Sequence, residues 1–349
     1  MSAPASSGVD VAIVAYRGWE LTHSCLEHLR AQTIPHGIVI CDNGCDEGTS
    51  ARLARAYPEV RVLRMERNMP YAVACNAAVA AGQAEIVVMM NNDVDAPPDF
   101  LKRLTAPFAG RPRLGSVGSL LLRPGEREID SAGLVADRTL AGFPRFHGLP
   151  PSTALDGQGH SGALPGQGHG ESLAFNASPA LRLGLAGPSG TAAAYRRAAW
   201  EQVGGLDEAI FAYLEDLDLA LRLGAAGWET MMALDAVAVH VGSATFGHRS
   251  AEQRRKIGHA RGYLLRRYGI LRSRAAARAL ATEALVVAGD AVLAHDLQAL
   301  AGRLEGWRAA AGQPALPGPP ARAIDTRIGF LESLRLRRGV YMGRRRSVA

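Results

Sequence analysis

Hydrophobic residues in the first quarter of the chain occur alternately in short unbroken runs and at helical spacing. The unbroken runs predict four buried strands: Val9 to Ala15, Ile38 to Cys41, Val60 to Leu63 and Glu85 to Met90. The helix-spaced residues predict three helices between them: Leu21 to Leu29, Ser50 to Ala56 and Tyr71 to Gly82. This alternation indicates an α/β fold with a largely parallel sheet that helices cover on both faces.

The pattern resumes at Gly187, where a short strand and then a helix ending near Gly204 and Gly205 are predicted. A helix from Asp216 to Leu223 follows, and then a strand from Thr230 to Val241 that includes His240. The pattern beyond about residue 250 is mostly helical. We therefore expect three parts: a flexible tail at residues 1–8, an α/β domain at 9–250 and a mainly helical, basic region at 251–349.

Residues 148–172 form a Gly/Pro/Ser-rich segment in which GQGH occurs twice. Gly157, Gly159 and Gly162 spell G-x-G-x-x-G, but a dinucleotide-binding loop must follow a strand and open a helix. This segment does neither, so we reject a dinucleotide site and interpret His160 and His169 as loop residues. A loop over a substrate cleft stays open as an interpretation.

Polar residues follow two of the predicted strands. The letters DNG at Asp42 to Gly44 follow the second strand, and NNDVD at Asn91 to Asp95 follows the fourth. Ligands bind parallel sheets beyond the carboxyl ends of the strands, so a site is expected here. A carboxylate at such a place suits a divalent cation bound to phosphates, although D-x-D alone is a weak signal.

Two further groups lie later in the chain. Glu215, Asp216 and Asp218 stand at a predicted helix N-terminus, where a carboxylate could serve as a general base or simply cap the helix. His240 ends a predicted strand, where it is either an ordinary polar terminus or the nitrogen ligand of a metal shared with Asp93.

Composition is that of a folded, soluble protein: 349 residues, 48% hydrophobic and 21% charged, with a net charge of +6. From Arg249 to Arg278 there are ten Lys/Arg residues and one acidic residue, Glu252. Such a tract suggests nucleic acid, a membrane surface or a pyrophosphate-bearing substrate, or else a solvated helical face.

The four cysteines form no C-x-x-C pair, which disfavours structural zinc and suits reduced thiols in a cytosolic protein. The N-terminal letters MSAPASSGVD do not form a signal peptide. The apolar stretch from Ala279 to Leu300 is interrupted by Glu283, Asp290 and Asp296, so we expect no membrane span.

Five segments carry a resemblance to a known family in its own order: VAIVAYR, VICDNGCDEGT, RNMPYAVACNAAVAAGQAEIVVMMNNDVDAPPDFL, GPSGTAAAYRRAAWEQVGGLDEAIFAYLEDLDLALRLGAAGW and AVAVHVGSATFG. The chain resembles an inverting family 2 glycosyltransferase of the GT-A fold, within the group of rhamnosyl- and galactofuranosyl-type transferases. The resemblance covers roughly residues 9–247. It implies a GT-A fold, a Rossmann-like, mostly parallel central sheet flanked by helices, with a mainly helical C-terminal extension.

The resemblance implies roles for individual residues. Ala15 and Tyr16 would line the nucleoside pocket, and Asp42 would pair with the nucleotide base while Asn43 supports its turn. Asn68 lies in the loop that approaches the donor sugar. The remaining implied donor-site residues are Asn91 and Asn92.

The resemblance also implies the chemistry. Asn91, Asn92 and Asp93 match the family's metal triplet, so Asp93 would meet a Mg²⁺ or Mn²⁺ ion and Asp95 would be a second-shell or turn residue. His240 would be a further metal ligand. Asp216 would be the catalytic base, with Glu215 beside it in the acceptor pocket.

The implied reaction transfers a sugar from a nucleoside-diphosphate sugar to a hydroxyl. A dTDP-rhamnose-like donor is our guess from the subgroup, with UDP- and GDP-sugars open. The acceptor would be a glycan, a lipid-linked glycan or a small natural product. We expect a cytoplasmic protein with no nucleic-acid partner. Two further interpretations stay open: association with the inner face of the membrane through residues 249–278, and a homodimer.

The chain departs from the family pattern at two places. Asn91 replaces a common aspartate, and NMPYAVACN after Arg67 lacks the usual glycines, which bears on the sugar. A sugar-nucleotidyltransferase is the alternative enzyme, but AYRGWE is a poor phosphate loop for it or for a dehydrogenase. A non-catalytic nucleotide- or sugar-binding module is the alternative outside enzymes.

Overall fold

The four strands predicted in the first quarter form one half of a nine-stranded sheet in a computed structural model that describes residues 8–16, 18–45, 48–155, 184–242 and 250–342. The strands are β1 Val9–Ala15, β2 Gly37–Asp42, β3 Arg61–Arg64, β4 Ile86–Asn91, β5 Val94–Asp95, β6 Leu114–Leu122, β7 Ile129–Ser131, β8 Leu134–Ala136, β9 Gly142–Pro144, β10 Leu185–Gly187, β11 Ala192–Arg196 and β12 Glu229–His240. The α-helices are α1 Trp19–Arg30, α2 Thr49–Ala56, α3 Tyr71–Ala81, α4 Phe100–Thr105, α5 Ser152–Leu155, α6 Arg197–Val203, α7 Glu215–Ala225, α8 Ala251–Arg267, α9 Ala276–Leu293, α10 Gln298–Ala309 and α11 Phe330–Met342.

The sheet has the order β3-β2-β1-β4-β11-β6-β12-β5, with β7 paired to β6. The first four strands are parallel, as predicted, because helices carry the chain back between them. In the other half, β12 is again parallel to β6, and both run in the direction of the first four strands, but three strands run the opposite way. Strand β11 runs antiparallel to both β4 and β6, and β5 runs antiparallel to β12, so the sheet is mixed.

Apolar side chains cover both faces of this sheet, as the continuous hydrophobic runs require. Val11 and Ile13 of β1 point into one core layer with Leu26 of α1, while Ala12 and Val14 point into the opposite layer with the alanines of α3. Alternate side chains of a strand face opposite sides. The polar residues that follow β2 and β4 lie outside these layers, at the carboxyl ends of the two strands.

The C-terminal helices pack closely through small residues. Gly258 and Gly262 of α8 contact the backbone of α10, and Gly302 and Gly306 of α10 contact the backbone of α8 in return. A side chain at any of the four would overlap a carbonyl oxygen of the facing helix. In the part of the chain that the structure describes, no helix has the length and hydrophobicity that crossing a membrane requires.

The basic tract is largely neutralised within the protein. Six of its side chains form ion pairs with carboxylates: Arg254 with Asp296, Arg255 with Glu305, Lys256 with Glu252, Arg261 with Glu283, Arg267 with Asp207 and Arg278 with Asp137. Four of these pairs join α8 to other parts of the chain, the Lys256 pair lies within α8, and the Arg278 pair starts from α9, so six of the ten cations have a carboxylate partner in the chain itself. Arg249 and residues 156–172 of the Gly/Pro-rich segment, with Gly157, Gly159, Gly162, His160 and His169, lie outside the described residues.

Candidate active site

The turn after β4 is held between two strands. Strand β4 ends at Asn91, and β5 then pairs with β12 so that Val94 lies opposite His240 and Asp95 opposite Val239. The Val241 N–H donates to the carbonyl oxygen of Asp93 at 2.9 Å. This pairing brings His240 beside Asp93, although about 150 residues separate them in the sequence.

Asp93 and His240 bring a carboxylate and an imidazole side by side. The Nε2 atom of His240 lies 3.4 Å from Oδ2 of Asp93. The second oxygen, Oδ1 of Asp93, is buried and has no hydrogen-bond partner among the residues that the structure describes. A buried acceptor without a partner carries a desolvation cost, so it is a place where a bound group would contribute stability.

A second carboxylate holds the other side of the His240 ring. The Nδ1 atom lies 2.8 Å from Oδ2 of Asp130 on β7. Burial alone lowers the pKa of His240, but hydrogen bonds to Asp130 and then Asp93 outweigh it and raise the pKa to about 10. The two carboxylates therefore favour a positive charge at this place.

Asp93 and His240 fit a hard divalent cation. Mg²⁺ and Mn²⁺ in phosphate-binding sites take one or two carboxylates, with water and phosphate oxygens completing the shell, and imidazole is an acceptable additional ligand. The unpartnered Oδ1 of Asp93 and Nε2 of His240 supply such a pair. Over the described ranges, no three His, Cys, Asp or Glu side chains form a metal cluster, so these two would be the protein's share of the ligands.

Asp95 is engaged elsewhere. Its Oδ1 accepts a hydrogen bond from Ser24 Oγ at 2.8 Å and lies 3.3 Å from Nδ1 of His28. Both partners belong to α1. The Asp95 carboxylate thus joins α1 to β5 and helps to hold the turn that carries Asp93.

The two asparagines before Asp93 are fixed by neighbouring helices. Oδ1 of Asn91 accepts from the Tyr71 hydroxyl at 2.9 Å, and Nδ2 of Asn92 donates to Thr22 Oγ1 at 2.9 Å. Tyr71 is the first residue of α3, and Thr22 is in the first turns of α1. Each asparagine therefore orients the turn through one helix.

The expected nucleoside pocket lies at the ends of β1 and β2. Ala15 pairs with Asp42 in the sheet, and half-buried Tyr16 follows Ala15 directly. Asp42 is 1% exposed, and both of its oxygens accept hydrogen bonds, Oδ1 from Cys45 N–H in the loop after β2 at 2.9 Å and Oδ2 from Ser50 Oγ at the start of α2. Its carboxylate shapes this loop, and any contact to a base would use its remaining lone pairs.

Asn43 links this loop to the segment before α3. Its Nδ2 donates to Oδ1 of Asn68 at 3.1 Å and to the Met69 carbonyl at 3.0 Å, and its Oδ1 accepts from Met69 N–H at 2.9 Å. Gly44 follows with φ +75°, and a side chain there would overlap the backbone at Arg67 and Asn68. Only glycine suits both the positive φ and the close approach.

Glu215 and Asp216 open α7 after a strained turn. Tyr213 and Leu214 have φ values of +71° and +64°, a region that costs a non-glycine residue on the order of 1–3 kcal/mol. Asp216 is held on both oxygens: Oδ2 accepts from Gly190 N–H at 2.9 Å and Oδ1 from Leu217 N–H at 2.8 Å. The turn and these two hydrogen bonds fix the direction of the carboxylate.

The surroundings of the acid pair favour protonation. Burial, followed by the charge of Asp216, raises the pKa of Glu215 to about 8. Burial also raises the pKa of Asp216, although backbone donors at Gly190 and Leu217 oppose the shift. Oε2 of Glu215 and the hydroxyl of Tyr195 are both buried and lack hydrogen-bond partners within the described part of the chain. Perturbed carboxyl pKa values of this kind occur at catalytic sites.

Short contacts connect the acid pair to the end of β4. Asn91 N–H donates to the Thr191 carbonyl at 2.8 Å, and the preceding residue, Gly190, bonds Asp216. Burial raises the pKa of Tyr71, which bonds Asn91, and the nearby charges of Glu215 and Asp216 add to the shift. The turn from Asn91 to Asp93 and the acid pair are therefore connected through Gly190, Thr191 and Tyr71.

Asp218 faces away from this site. It is fully buried, with Oδ2 at 2.7 Å from Arg222 Nε and Oδ1 accepting from the Tyr268 hydroxyl at 3.0 Å. Tyr268 directly follows α8. The Asp218 carboxylate thus joins α7 to the C-terminal helices.

The sequence did not single out four residues that the structure brings into the site: Asp130, Tyr71, Gly190 and Tyr195. Asp130 lies in a three-residue strand, and Tyr71 was predicted only as the start of a helix. Neither position carries a local signal, because its partner is remote in the sequence. Gly190 and Tyr195 lie in a segment whose letters predicted a strand, but not what it would contact.

Two family models match the chain. The model described as "Glycosyl transferase family 2" matches residues 10–162, and the model described as "Glycosyltransferase like family 2" matches residues 173–259. The chain belongs to glycosyltransferase family 2. The family predicted from the sequence is thereby confirmed.

This family 2 chain is similar to two curated relatives. The N-acetylglucosaminyl-diphospho-decaprenol L-rhamnosyltransferase of Mycobacterium tuberculosis is 31% identical over 221 residues, covering 59% of this chain and 66% of the relative. The O-antigen biosynthesis protein RfbC of Myxococcus xanthus is 26% identical over 232 residues, covering 65% of this chain and 16% of the relative. The match to the mycobacterial relative thus spans a little less than two thirds of its length.

The fold is also that of solved glycosyltransferase structures. A crystal structure of GalNAc-T7 with UDP, GalNAc and Mn²⁺ superposes with a TM-score of 0.56 at 12% identity, covering 98% of this chain and 59% of that one. At this identity the likeness shows the fold alone. The predicted GT-A fold class is confirmed, with a mixed sheet.

Proposed function

We propose that this family 2 chain is a metal-dependent inverting glycosyltransferase that moves a sugar from a nucleoside-diphosphate sugar to an acceptor hydroxyl. One observation carries the proposal. Asp216, a carboxylate whose pKa is raised by burial, is held through Gly190 beside the strand end that bears Asp93. A base and a phosphate-binding end at one site are what a single displacement at a sugar carbon requires.

Asp216 would act as the general base. Its raised pKa makes it a better proton acceptor than an ordinary aspartate, and its two backbone hydrogen bonds hold it in one direction. The acceptor hydroxyl gives its proton to Asp216 as its oxygen forms a bond to the anomeric carbon. The bond from that carbon to the diphosphate oxygen breaks on the opposite face, so configuration inverts and a nucleoside diphosphate leaves.

Asp93 and His240 would hold the divalent cation. A bound Mg²⁺ or Mn²⁺ neutralises the charge that grows on a departing diphosphate. The unpartnered Oδ1 of Asp93 and the adjacent Nε2 of His240 support this assignment. We propose Mg²⁺ or Mn²⁺ without choosing between them.

Ala15, Tyr16, Asp42, Asn43 and Asn68 would form the nucleoside end of the donor site. The hydrogen bonds from Asn43 to Asn68 and Met69 support a preformed wall between the two loops. Such a wall lowers the entropy cost of binding a nucleotide. A deoxythymidine-diphosphate-linked 6-deoxysugar is our proposed donor, because the mycobacterial relative is by name a rhamnosyltransferase.

We propose a lipid-linked saccharide as the acceptor. The mycobacterial relative is named for an N-acetylglucosaminyl-diphospho-decaprenol acceptor, which supports this class over a small natural product. The paired charges of the basic tract give little support to a purely electrostatic membrane attachment, since six of its cations already hold carboxylates of the protein.

The test is release of nucleoside diphosphate from a panel of sugar nucleotides with a polyprenyl-diphosphate-linked saccharide, with and without Mn²⁺. Asp216→Asn should lower kcat by about 10²- to 10⁴-fold while donor binding persists. Glu229→Gln, at an exposed position, is the matched control and should retain wild-type activity. Pyrophosphate release from nucleoside triphosphate and sugar phosphate would instead indicate a nucleotidyltransferase. Donor binding without turnover on any acceptor would indicate a binding module.

A further inference from the structure

Asp130 and His240 meet across the end of strand β6. Leu122 of β6 pairs with Ile129 of β7 on one side and with Val239 of β12 on the other. Asp130 follows Ile129 at a register shift of the β6–β7 pairing, His240 follows Val239, and Oδ2 of Asp130 is 2.8 Å from Nδ1 of His240. The opposite ring nitrogen, Nε2, faces Asp93 at 3.4 Å. The imidazole thus has one nitrogen for Asp130 and one for the candidate metal site.

We propose that Asp130 is a positioning residue that holds Nδ1 of His240 in its protonated form and turns Nε2 toward a divalent cation shared with Asp93. This inference rests on the metal site of the proposed function. A carboxylate can only accept from Nδ1–H, so it selects the tautomer whose free nitrogen lone pair is Nε2. Carboxylates in this position orient histidine ligands and raise their basicity.

Asp130 is itself held in place. Its neighbours on β7, Ile129 and Ser131, are 0% and 2% exposed, so the strand is anchored in the core. Its backbone carbonyl accepts from Nδ1 of His147 at 2.7 Å, and Nε2 of His147 lies 2.7 Å from Nη2 of Arg123. Because arginine only donates, His147 Nε2 accepts and its Nδ1 carries the proton. The hydrogen bond from His147 goes to the backbone of Asp130; the carboxylate oxygen Oδ1 lies 3.8 Å from His147 Nδ1, beyond hydrogen-bond distance, and Oδ2 faces His240.

The arrangement also separates Asp130 from the metal ligands. Its carboxylate lies on the Nδ1 side of the ring, and Asp93 lies on the Nε2 side. Asp130 would therefore act on the cation through His240 alone. Loss of its charge should weaken the binding of the cation, whereas loss of Asp93 should abolish it.

The test measures Mn²⁺ binding to the full chain by the EPR signal of free Mn²⁺, without any turnover. Asp130→Asn should weaken Mn²⁺ binding about 10- to 100-fold. Asp93→Ala should remove Mn²⁺ binding. Asp235 lies on the same strand as His240 and pairs with Arg103 of α4, so Asp235→Asn is the control and should leave Mn²⁺ binding unchanged. The melting temperature without metal should be similar for both asparagine variants, which separates positioning from folding.

A second readout follows the ring itself. In wild-type protein with Mg²⁺, ¹⁵N NMR should show His240 protonated at Nδ1 alone, and Asp130→Asn should shift that resonance pattern while Asp235→Asn should not.

An Mn²⁺ affinity of Asp130→Asn within twofold of the wild-type affinity would overturn the proposal. A loss as complete as that of Asp93→Ala would also overturn it, by making Asp130 a direct ligand. Absence of Mn²⁺ binding in the wild type overturns it too, whereas the nucleoside-diphosphate release assay judges the transferase proposal separately.

Discussion

The backbone N–H of Gly190 donates to Oδ2 of Asp216 at 2.9 Å, and the space around Gly190 allows no larger residue without movement. An added Cβ would lie 3.1 Å from Cε of Met89 and 3.2 Å from Cβ of Asp216. Met89 is on β4, two residues before Asn91, so this glycine spaces the proposed base from the strand that leads to Asp93, the proposed metal ligand. Its role is to permit close approach, since its φ is not positive.

Gly190→Ala should therefore shift Asp216 by a few tenths of an ångström and lower kcat severalfold, because a misplacement of about 1 Å costs about 100-fold. Donor binding, measured by thermal shift, should change little because an added Cβ at Gly190 would meet Met89 and Asp216, and none of the residues assigned to the nucleoside end. Gly289→Ala is the control: its Cβ would meet nothing within 4 Å, and activity should stay at the wild-type level. Wild-type kcat in Gly190→Ala would contradict this account.

Tyr71→Phe removes the hydroxyl that bonds Oδ1 of Asn91 at 2.9 Å. We expect kcat/KM to fall about 3- to 10-fold, which corresponds to the loss of roughly one hydrogen bond's net contribution of about 1 kcal/mol. The reason is that Asn91 begins the turn carrying Asp93, so its loosening should weaken the binding of Mn²⁺ and of the donor together. Steady-state kinetics over a range of Mn²⁺ concentrations measures both effects.

Tyr268→Phe is the matched control for that variant. It also removes one tyrosine hydroxyl. This hydroxyl donates to the carboxylate of Asp218 at 3.0 Å, on the side of α7 turned away from the site. It should lower the melting temperature and leave the Mn²⁺ dependence of kcat/KM unchanged. If both variants lose stability alone, Tyr71 has no part in the site.

The first half of the fold was predictable because its strands are continuous apolar runs. Strand β6, Leu114–Leu122, was not identified, although all nine of its residues are buried. Its glycines and serines weaken the hydrophobic signal. The small residues are there because of distant packing: an added Cβ at Gly115 would lie 2.7 Å from Cβ of Trp228, and one at Gly118 would lie 2.7 Å from Sδ of Met232. A local pattern does not contain those partners.

The candidate site was predictable to the extent that a strand end or a family motif marks it. Asp93, Asp216 and His240 were reached in that way; the structure places His240 beside Asp93 and connects Asp216 to the end of β4 through Gly190 and Thr191, while their roles stay predictions. Asp130 was not, because its contact with His240 joins positions 110 residues apart through a three-residue strand. The sequence also left Asp95 and Asp218 without partners. The contacts of Asp95 with Ser24 and of Asp218 with Tyr268 depend on helix packing that only the folded chain defines.

Gly262→Ala should strongly destabilise the C-terminal helices. An added Cβ would overlap the carbonyl oxygen of Arg303, and the backbone of α10 would have to move away from α8. Overpacking of this kind costs about 1–3 kcal/mol or more. Chemical denaturation measures the change, and Gly289→Ala on α9 should instead stabilise slightly, by up to about 1 kcal/mol, because alanine is the better helix former. Equal stabilities for the two variants would show that the helices separate without cost.

Glu215→Gln should stabilise the protein at high pH and much less at low pH. The folded pKa of Glu215, about 8, lies above that of an unfolded glutamate, so the folded state holds the proton over this interval. The wild type therefore loses stability as pH rises from about 4.5 to 8, in the sense opposite to a salt-bridged carboxylate.

Glutamine keeps the shape of the Glu215 side chain and cannot ionise, so the variant lacks this loss of stability. Its advantage at pH 9 should be on the order of 5 kcal/mol, since the rise in pKa from 4.5 to about 8 corresponds to about 1.4 kcal/mol for each pKa unit. Urea denaturation at pH 5 and pH 9 measures it, with exposed Glu229→Gln as the control that should show no such pH dependence. A stability difference that is the same at both pH values would mean that Glu215 is already ionised in the folded protein at pH 5.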